Sequence, residues 1–284
     1  MLWLRSSVGL FFLIPSLLVA EHSQRSPTSR VVASDTEVFQ GATDLHIQVK
    51  DDPGTLCQST LVEKHQIEAH SGRCRMAFVT AAHCVDEPFD AIEFAGVGAI
   101  SKGELSVCIP REYRARRAMF WKKQRDGVPR DVATLIFETS CSAVEHLAPA
   151  PLAPVLPDGT TQVDSKRFFL QKRKGAAPGN PGGARRIQAD LEGAEPPLFH
   201  FFAPSPQGAA IVGGDSGGPI YNEKGQLVCP MATSSYEYLR RSEQLKEKEP
   251  DGKSDLPADP FKVSCDARAV QRIREHLAGS SPDC

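Results

Sequence analysis

Gly214-Asp215-Ser216-Gly217-Gly218-Pro219 is the segment of this chain whose residue types and spacing most directly imply chemistry. Its glycines permit a tight turn that leaves the Ser216 hydroxyl exposed and aims the backbone N–H groups of Gly214 and Ser216 at one point, an oxyanion hole for an acyl-transfer intermediate. A serine hydroxyl attacks a carbonyl only when a base takes its proton. His83, in Thr80-Ala81-Ala82-His83-Cys84, is the candidate base, because small residues precede it and a cysteine able to pin its backbone follows. The base needs a carboxylate to fix its tautomer and stabilise the imidazolium. Asp131 heads the apolar run Asp131-Val132-Ala133-Thr134-Leu135, where a buried carboxylate is tolerated only with a hydrogen-bonding partner such as His83. Asp126, in a glycine-containing loop, is the rival, and Asp131 is preferred because an apolar strand follows it at once. The strand–turn–helix setting of an α/β-hydrolase serine is absent, which argues against an esterase of that type.

These residues must be positioned by strands. Short apolar runs bounded by Gly, Pro, Asp and Ser recur at Leu45–Val49, Ala77–Ala82, Ala91–Ile100, Val132–Phe137, Phe168–Leu170, Ile211–Val212 and Gln226–Ala232. Asp266–Leu277 alone spaces its apolar residues as a helix does, with Gly279 just beyond. Three stretches read as surface insertions: the basic segment Arg111–Arg130, the Gly/Pro-rich Gly175–Arg186 and the charged Arg240–Pro260. The expectation is one large all-β domain of two sub-barrels followed by a helix.

Composition narrows the function. The chain has 284 residues, with 33 Lys plus Arg against 35 Asp plus Glu, so no global charge favours nucleic acid as a partner. The eight cysteines show neither CxxC nor CxxH spacing, which excludes a structural zinc module, and no acidic loop has ligand-like alternation for calcium. No metal or cofactor is expected. Residues 1–20 carry Arg5, an apolar run from Val8 to Leu18 and the small-residue ending Val19-Ala20, which reads as a secretory signal peptide. The unbroken apolar run is too short to cross a bilayer, so the mature chain is expected to be secreted or periplasmic, with no membrane attachment after signal cleavage and with paired cysteines. Residues 21–30 are polar and end in Arg30 before Val31-Val32, as a cleavable propeptide would. Removal of residues 1–30 takes Arg5, Arg25, Arg30 and Glu21 with it and leaves 30 basic and 34 acidic residues, a mildly acidic chain.

Thr80–Cys84, Asp131–Leu135 and Gly214–Pro219, in this order, resemble the three signature blocks of the trypsin/chymotrypsin family of secreted serine endopeptidases. The resemblance covers Val31 to about Leu277. It implies two packed six-stranded antiparallel β-barrels with a C-terminal α-helix, a barrel boundary near residues 145–160, and a catalytic triad of His83, Asp131 and Ser216 in the cleft. It also implies a peptidase domain over 31–284, monomeric and made as a zymogen, with a polypeptide substrate and an activating protease as partners. Cleavage at Arg30-Val31 would free an α-ammonium at Val31 to pair with Asp215. Cys57 and Cys84 match the family disulfide around the histidine loop. The other six cysteines, Cys74, Cys108, Cys141, Cys229, Cys265 and Cys284, allow fifteen connectivities.

Two departures bear on specificity. Val212 stands where the family has a cysteine bracing the pocket wall, and Ala210 stands where trypsin-like members place an aspartate. A neutral pocket floor gives a Lys or Arg side chain no partner, so small or medium apolar residues are expected on the acyl side of the scissile bond. Ala232, Thr233 and Ser234 are the counterpart of the substrate-pairing segment. The competing reading is a non-catalytic binding or adhesion protein on a protease scaffold.

Overall fold

The computed structural model describes residues 41–49, 52–111, 113, 130–165, 167–173, 184–195, 198–202, 214–232, 262–281 and 284. Among the described residues, two antiparallel sheets and one C-terminal helix make up the architecture. The first sheet contains β1 (Ala42–Val49), β2 (Asp52–Gln66), β3 (Arg73–Thr80), β4 (Ala91–Phe94), β5 (Gly98–Ser101), β6 (Ser106–Cys108) and β7 (Ala133–Ser140), in the order β5-β4-β1-β2-β3-β7-β6. The second contains β8 (Phe168–Arg173), β9 (Ala184–Glu195), β10 (Leu198–Phe202), β11 (Pro219–Asn222), β12 (Leu227–Pro230) and β13 (Lys262–Asp266), in the order β12-β11-β8-β9-β10-β13. Helix α1 covers Ala269–Leu277.

The expected all-β class with a terminal helix is what the chain adopts, but the first sheet has seven strands where six were expected. The apolar run Ala91–Ile100 is two strands, because Gly96 at φ +82° and Gly98 at φ +116° turn the chain between them. The run Ala77–Ala82 likewise stops as a strand at Thr80, and Ala82–Cys84 forms a single 3₁₀ turn. The helix begins three residues later than its periodicity suggests, since the Asp266 carboxylate accepts the Arg268 N–H at 2.8 Å ahead of the first turn. Ile211–Val212, most of Arg111–Arg130 and all of Arg240–Pro260 lie outside the described residues, whereas Ala184–Arg186, placed with the Gly/Pro-rich insertion, opens β9.

Alternation along β3 explains why its sequence is apolar on both faces. Met76 and Phe78 point into the first core, where Phe78, Phe94 and Phe137 stack with ring centroids 4.7 to 5.8 Å apart. Ala77 and Val79 point the other way, into the core built on Phe168, Phe201, Ile220 and Val263. The end strands of the second sheet, β12 and β13, are joined by the Cys229–Cys265 disulfide and by the Ala232 N–H donating to the Ser264 carbonyl at 2.9 Å. That seam closes the sheet on itself, which removes its exposed edges.

Every cysteine is paired. Besides Cys229–Cys265 the bonds are Cys57–Cys84, Cys74–Cys141 and Cys108–Cys284, with sequence separations of 27, 67 and 176 residues. Loops of these lengths correspond to about 3–5 kcal/mol per bond in the chain-entropy account. Such bonds persist in oxidising compartments. Among the described residues no helix is long and apolar enough to cross a membrane.

Lys64 fastens the segment that leaves the first sheet: its ammonium donates to the carbonyls of Val144 and Glu145 at 3.1 and 3.3 Å, and to that of Leu147. Asp266 and Arg272 do the same for the helix, pairing at 2.9 Å with side chains 2% and 15% exposed. Burial raises the Asp266 carboxyl above its ordinary pKa, and the nearby Arg272 and Arg130 charges only partly offset this. A carboxylate whose folded pKa is raised contributes stability at low pH that is lost as pH rises through that folded pKa. Arg272→Met removes the largest of the offsets, so it is expected to cost about 3–5 kcal/mol near neutral pH. The deficit should shrink as the pH falls and Asp266 takes up a proton. Urea unfolding of both proteins at neutral and mildly acidic pH measures this, and an equal deficit at both would contradict it.

Candidate active site

Strand register brings two of the three candidate side chains together. β3 and β7 pair antiparallel with Thr80 opposite Ala133, so the residues just past the end of β3 meet those just before the start of β7. Continuing that register sets Ala82 opposite Asp131, beside His83. A local turn completes the placement: Arg130 sits at φ +69° and its carbonyl accepts the Val132 N–H at 2.8 Å, which bends the backbone around Asp131. Asp131 is 1% exposed and accepts two hydrogen bonds from one residue: the His83 backbone N–H donates to Oδ1 at 2.9 Å, and His83 Nδ1 lies 2.7 Å from Oδ2. An ionised carboxylate only accepts, so Nδ1 carries the proton and Nε2 keeps its lone pair. The imidazole remains 29% exposed. A ring held in this tautomer presents Nε2 as its proton acceptor, which is what a general base requires.

The nucleophile turn is built from the other sheet and anchored to the first. Gly214 has φ +96° and Gly217 φ +78°, backbone conformations that side chains rarely tolerate. Gly217 is also crowded: a Cβ there would lie 2.1 Å from Thr80 Oγ1, 2.3 Å from the Gln58 carbonyl oxygen and 3.0 Å from the Ala81 nitrogen. The turn therefore packs directly on Thr80 and Ala81, immediately ahead of His83. Its backbone is tied on both sides, with the Gln58 N–H donating to the Ser216 carbonyl at 2.8 Å and the Gly217 N–H donating to the Met231 carbonyl at 2.9 Å. Gln58 follows Cys57, whose disulfide partner Cys84 follows His83. A covalent and hydrogen-bonded path thus runs from the Ser216 backbone to the imidazole.

Asp215 is fully buried, and the Gln58 side chain donates to its Oδ1 at 3.3 Å. Ala232 is buried, and its N–H donates to the Ser264 carbonyl at 2.9 Å. Arg30, Val31, Ala210, Val212, Thr233 and Ser234 themselves lie outside the described residues, as does the rival Asp126. Among the described residues no group of three or more His, Cys, Asp or Glu is placed to hold a metal ion. Sequence reasoning missed Gln58. Its signal is a glutamine directly after Cys57 in a run, Gln58-Ser59-Thr60, that is polar yet wholly buried.

No family profile matches the chain, and no curated protein sequence does. Solved structures do. A scabies mite inactivated protease paralogue superposes with a TM-score of 0.54 at 12% identity, covering 86% of this chain and 94% of its own. A thermostable serine protease, AL20, from an extremophilic microorganism gives 0.52 at 14%, covering 86% of this chain and 98% of its own. HL collagenase gives 0.53 at 14%, covering 87% and 98%.

The chain has the trypsin/chymotrypsin fold. That fold carries both a protease and an inactivated paralogue in these comparisons, so it supplies the scaffold, and the chemistry has to be argued from the residues in the cleft. In the trypsin/chymotrypsin fold adopted here, the His83–Asp131 pair is contributed by the first sheet and the Ser216 turn by the second.

Proposed function

We propose that the chain is an exported serine endopeptidase that hydrolyses peptide bonds through an acyl-enzyme. The observation that carries this reading is the buried Asp131 carboxylate holding His83 Nδ1–H at 2.7 Å, in a chain whose Gly214–Pro219 turn packs against the same histidine segment. His83 Nε2 takes the Ser216 Oγ proton as Oγ bonds to the substrate carbonyl carbon, whose oxygen becomes an oxyanion received by the Gly214 and Ser216 N–H groups. The imidazolium then gives that proton to the leaving amine as the C–N bond breaks. Water, deprotonated by His83, attacks the ester, and the serine hydroxyl leaves with the proton returned.

The finer features belong to the same proposal. Export is supported by the signal-like residues 1–20 and by four disulfides with no cysteine left free. Zymogen activation at Arg30-Val31 is supported by the buried carboxylate at Asp215, which an incoming α-ammonium would neutralise. Preference for a small or medium apolar residue on the acyl side is supported by Ala210.

The test is a fluorophosphonate, which reacts only with an activated serine, applied to the chain cleaved at Arg30 and followed by mass spectrometry of the labelled peptide and a peptide-library cleavage profile. Labelling at Ser216 with cleavage after residues such as Ala, Val or Leu is expected. A cleaved, folded chain that takes no label would instead be a binding protein on a protease scaffold, the reading favoured by a likeness to an inactivated paralogue.

A further inference from the structure

We propose that Gln58 is a positioning residue for the nucleophile turn, its carboxamide holding the Asp215 carboxylate so that the Gly214 and Ser216 N–H groups face the oxyanion; the inference rests on the peptidase reading of that site.

Gln58 lies on β2, in the first sheet, and is wholly buried. It touches the turn at three points. Its backbone N–H donates to the Ser216 carbonyl at 2.8 Å, its Nε2 donates to Asp215 Oδ1 at 3.3 Å, and its Oε1 lies 3.0 Å from where a Cβ on Gly218 would be. The residue is itself clamped, since Thr80 Oγ1 donates to its carbonyl at 2.7 Å and its Nε2 also lies 3.5 Å from the Gln171 carbonyl. Thr80 precedes the histidine segment, so one side chain and its backbone link both halves of the cleft.

The amide's orientation is forced by charge. An ionised carboxylate accepts only, so Nε2 must face Asp215, and the opposite rotamer would set Oε1 against a carboxylate oxygen. The cost of this orientation is visible at the other end of the group: among the described residues, Oε1 is buried without a hydrogen-bond partner. A leucine of similar volume would fill the space without stranding an acceptor. What glutamine adds there is a donor, and the recipient of that donor is the residue between the two N–H groups of the oxyanion hole. The amide is neutral and belongs to the first sheet, so the donor it offers Asp215 does not itself titrate.

Two variants of the full chain, cleaved at Arg30, test this. Gln58→Leu removes the donor, and kcat should fall about 10- to 100-fold with KM nearly unchanged, because a hydrogen bond to a charged group is lost where it orders the transition-state donors. Gln58→Glu puts two carboxyls in contact. Burial and the Asp215 charge raise the new carboxyl, and the Val31 α-ammonium proposed to pair with Asp215 in the cleaved chain offsets part of this, so below its raised pKa it donates an O–H to Asp215 and above it two charges repel. Among the described residues, Asp215 is the titratable group within hydrogen-bond reach of this side chain. Gln58→Glu should therefore retain activity within about threefold of the parent on the acid side, and its alkaline limb should move to lower pH by about one unit or more. A purely structural role would lower activity evenly across pH. If Gln58→Leu does not fold, the Gln58→Glu profile decides alone. A folded Gln58→Leu losing less than about twofold in kcat, or an unmoved alkaline limb in Gln58→Glu, overturns the inference while fluorophosphonate labelling of the parent leaves the peptidase reading standing. A parent chain that takes no label overturns both.

Discussion

Ser216→Ala is expected to lower kcat for peptide hydrolysis by roughly 10⁴- to 10⁶-fold, the scale on which removing an attacking serine acts in enzymes of this chemistry. The residual rate would come from substrate binding and from backbone donors that the substitution leaves in place. Little else should change. The structural duties of Ser216 are carried by its carbonyl, which accepts from Gln58, while the turn itself is enforced by Gly214 and Gly217. The thermal midpoint should stay within a few degrees of the parent, since a substitution at a partly exposed side chain away from core and cap features usually changes stability by about 0.5 kcal/mol or less. Parallel measurements of kcat and thermal unfolding check this. A folded variant that retained more than about one hundredth of the parent rate would mean that another group attacks the carbonyl.

Asp131→Asn should be nearly as damaging, with kcat lower by roughly 10⁴-fold and KM little altered. Asp131 receives donors at both oxygens, the His83 backbone N–H and Nδ1–H. Asparagine offers one oxygen and one NH₂, so either orientation confronts a donor with a donor. Relief comes if the imidazole moves its proton to Nε2, and that proton then occupies the lone pair which had to receive the Ser216 hydrogen. Steady-state kinetics and the rate of fluorophosphonate labelling should fall together. A loss smaller than about tenfold would remove Asp131 from the orienting role, because a tautomer error cannot be that mild.

Much of the candidate site was readable before any coordinates, and for a physical reason. Nucleophile turns and strand-end carboxylates demand residue types that chance seldom assembles, as at Gly214–Pro219 and Asp131–Leu135. The scaffold was less transparent. β2 is the longest strand among the described residues, yet its consecutive buried polar residues Gln58, Ser59 and Thr60 hide the alternation that marks a strand. β9 alternates Ile187, Ala189 and Leu191 with Gln188, Asp190 and Glu192, a period-two signal that a search for continuous apolar runs passes over. Disulfide partners were open because pairing depends on which strand ends converge, as when β3 and β7 bring Cys74 next to Cys141. Asp215 and Gln58 show the same limit at the site: their contact spans 157 positions, and no local pattern encodes it.

The pattern of bridges divides the polypeptide in a way that matters for its resistance to proteolysis. Cys57–Cys84 lies wholly before the arginine- and lysine-laden stretch 111–130 and Cys229–Cys265 wholly after it, whereas Cys74–Cys141 and Cys108–Cys284 straddle it. A foreign enzyme that nicks this stretch would create two fragments, each with one internal loop and both stapled to each other twice. They would migrate as a single species until a thiol reductant released them, so a nick in this basic stretch need not scatter His83 from Asp131 and Ser216.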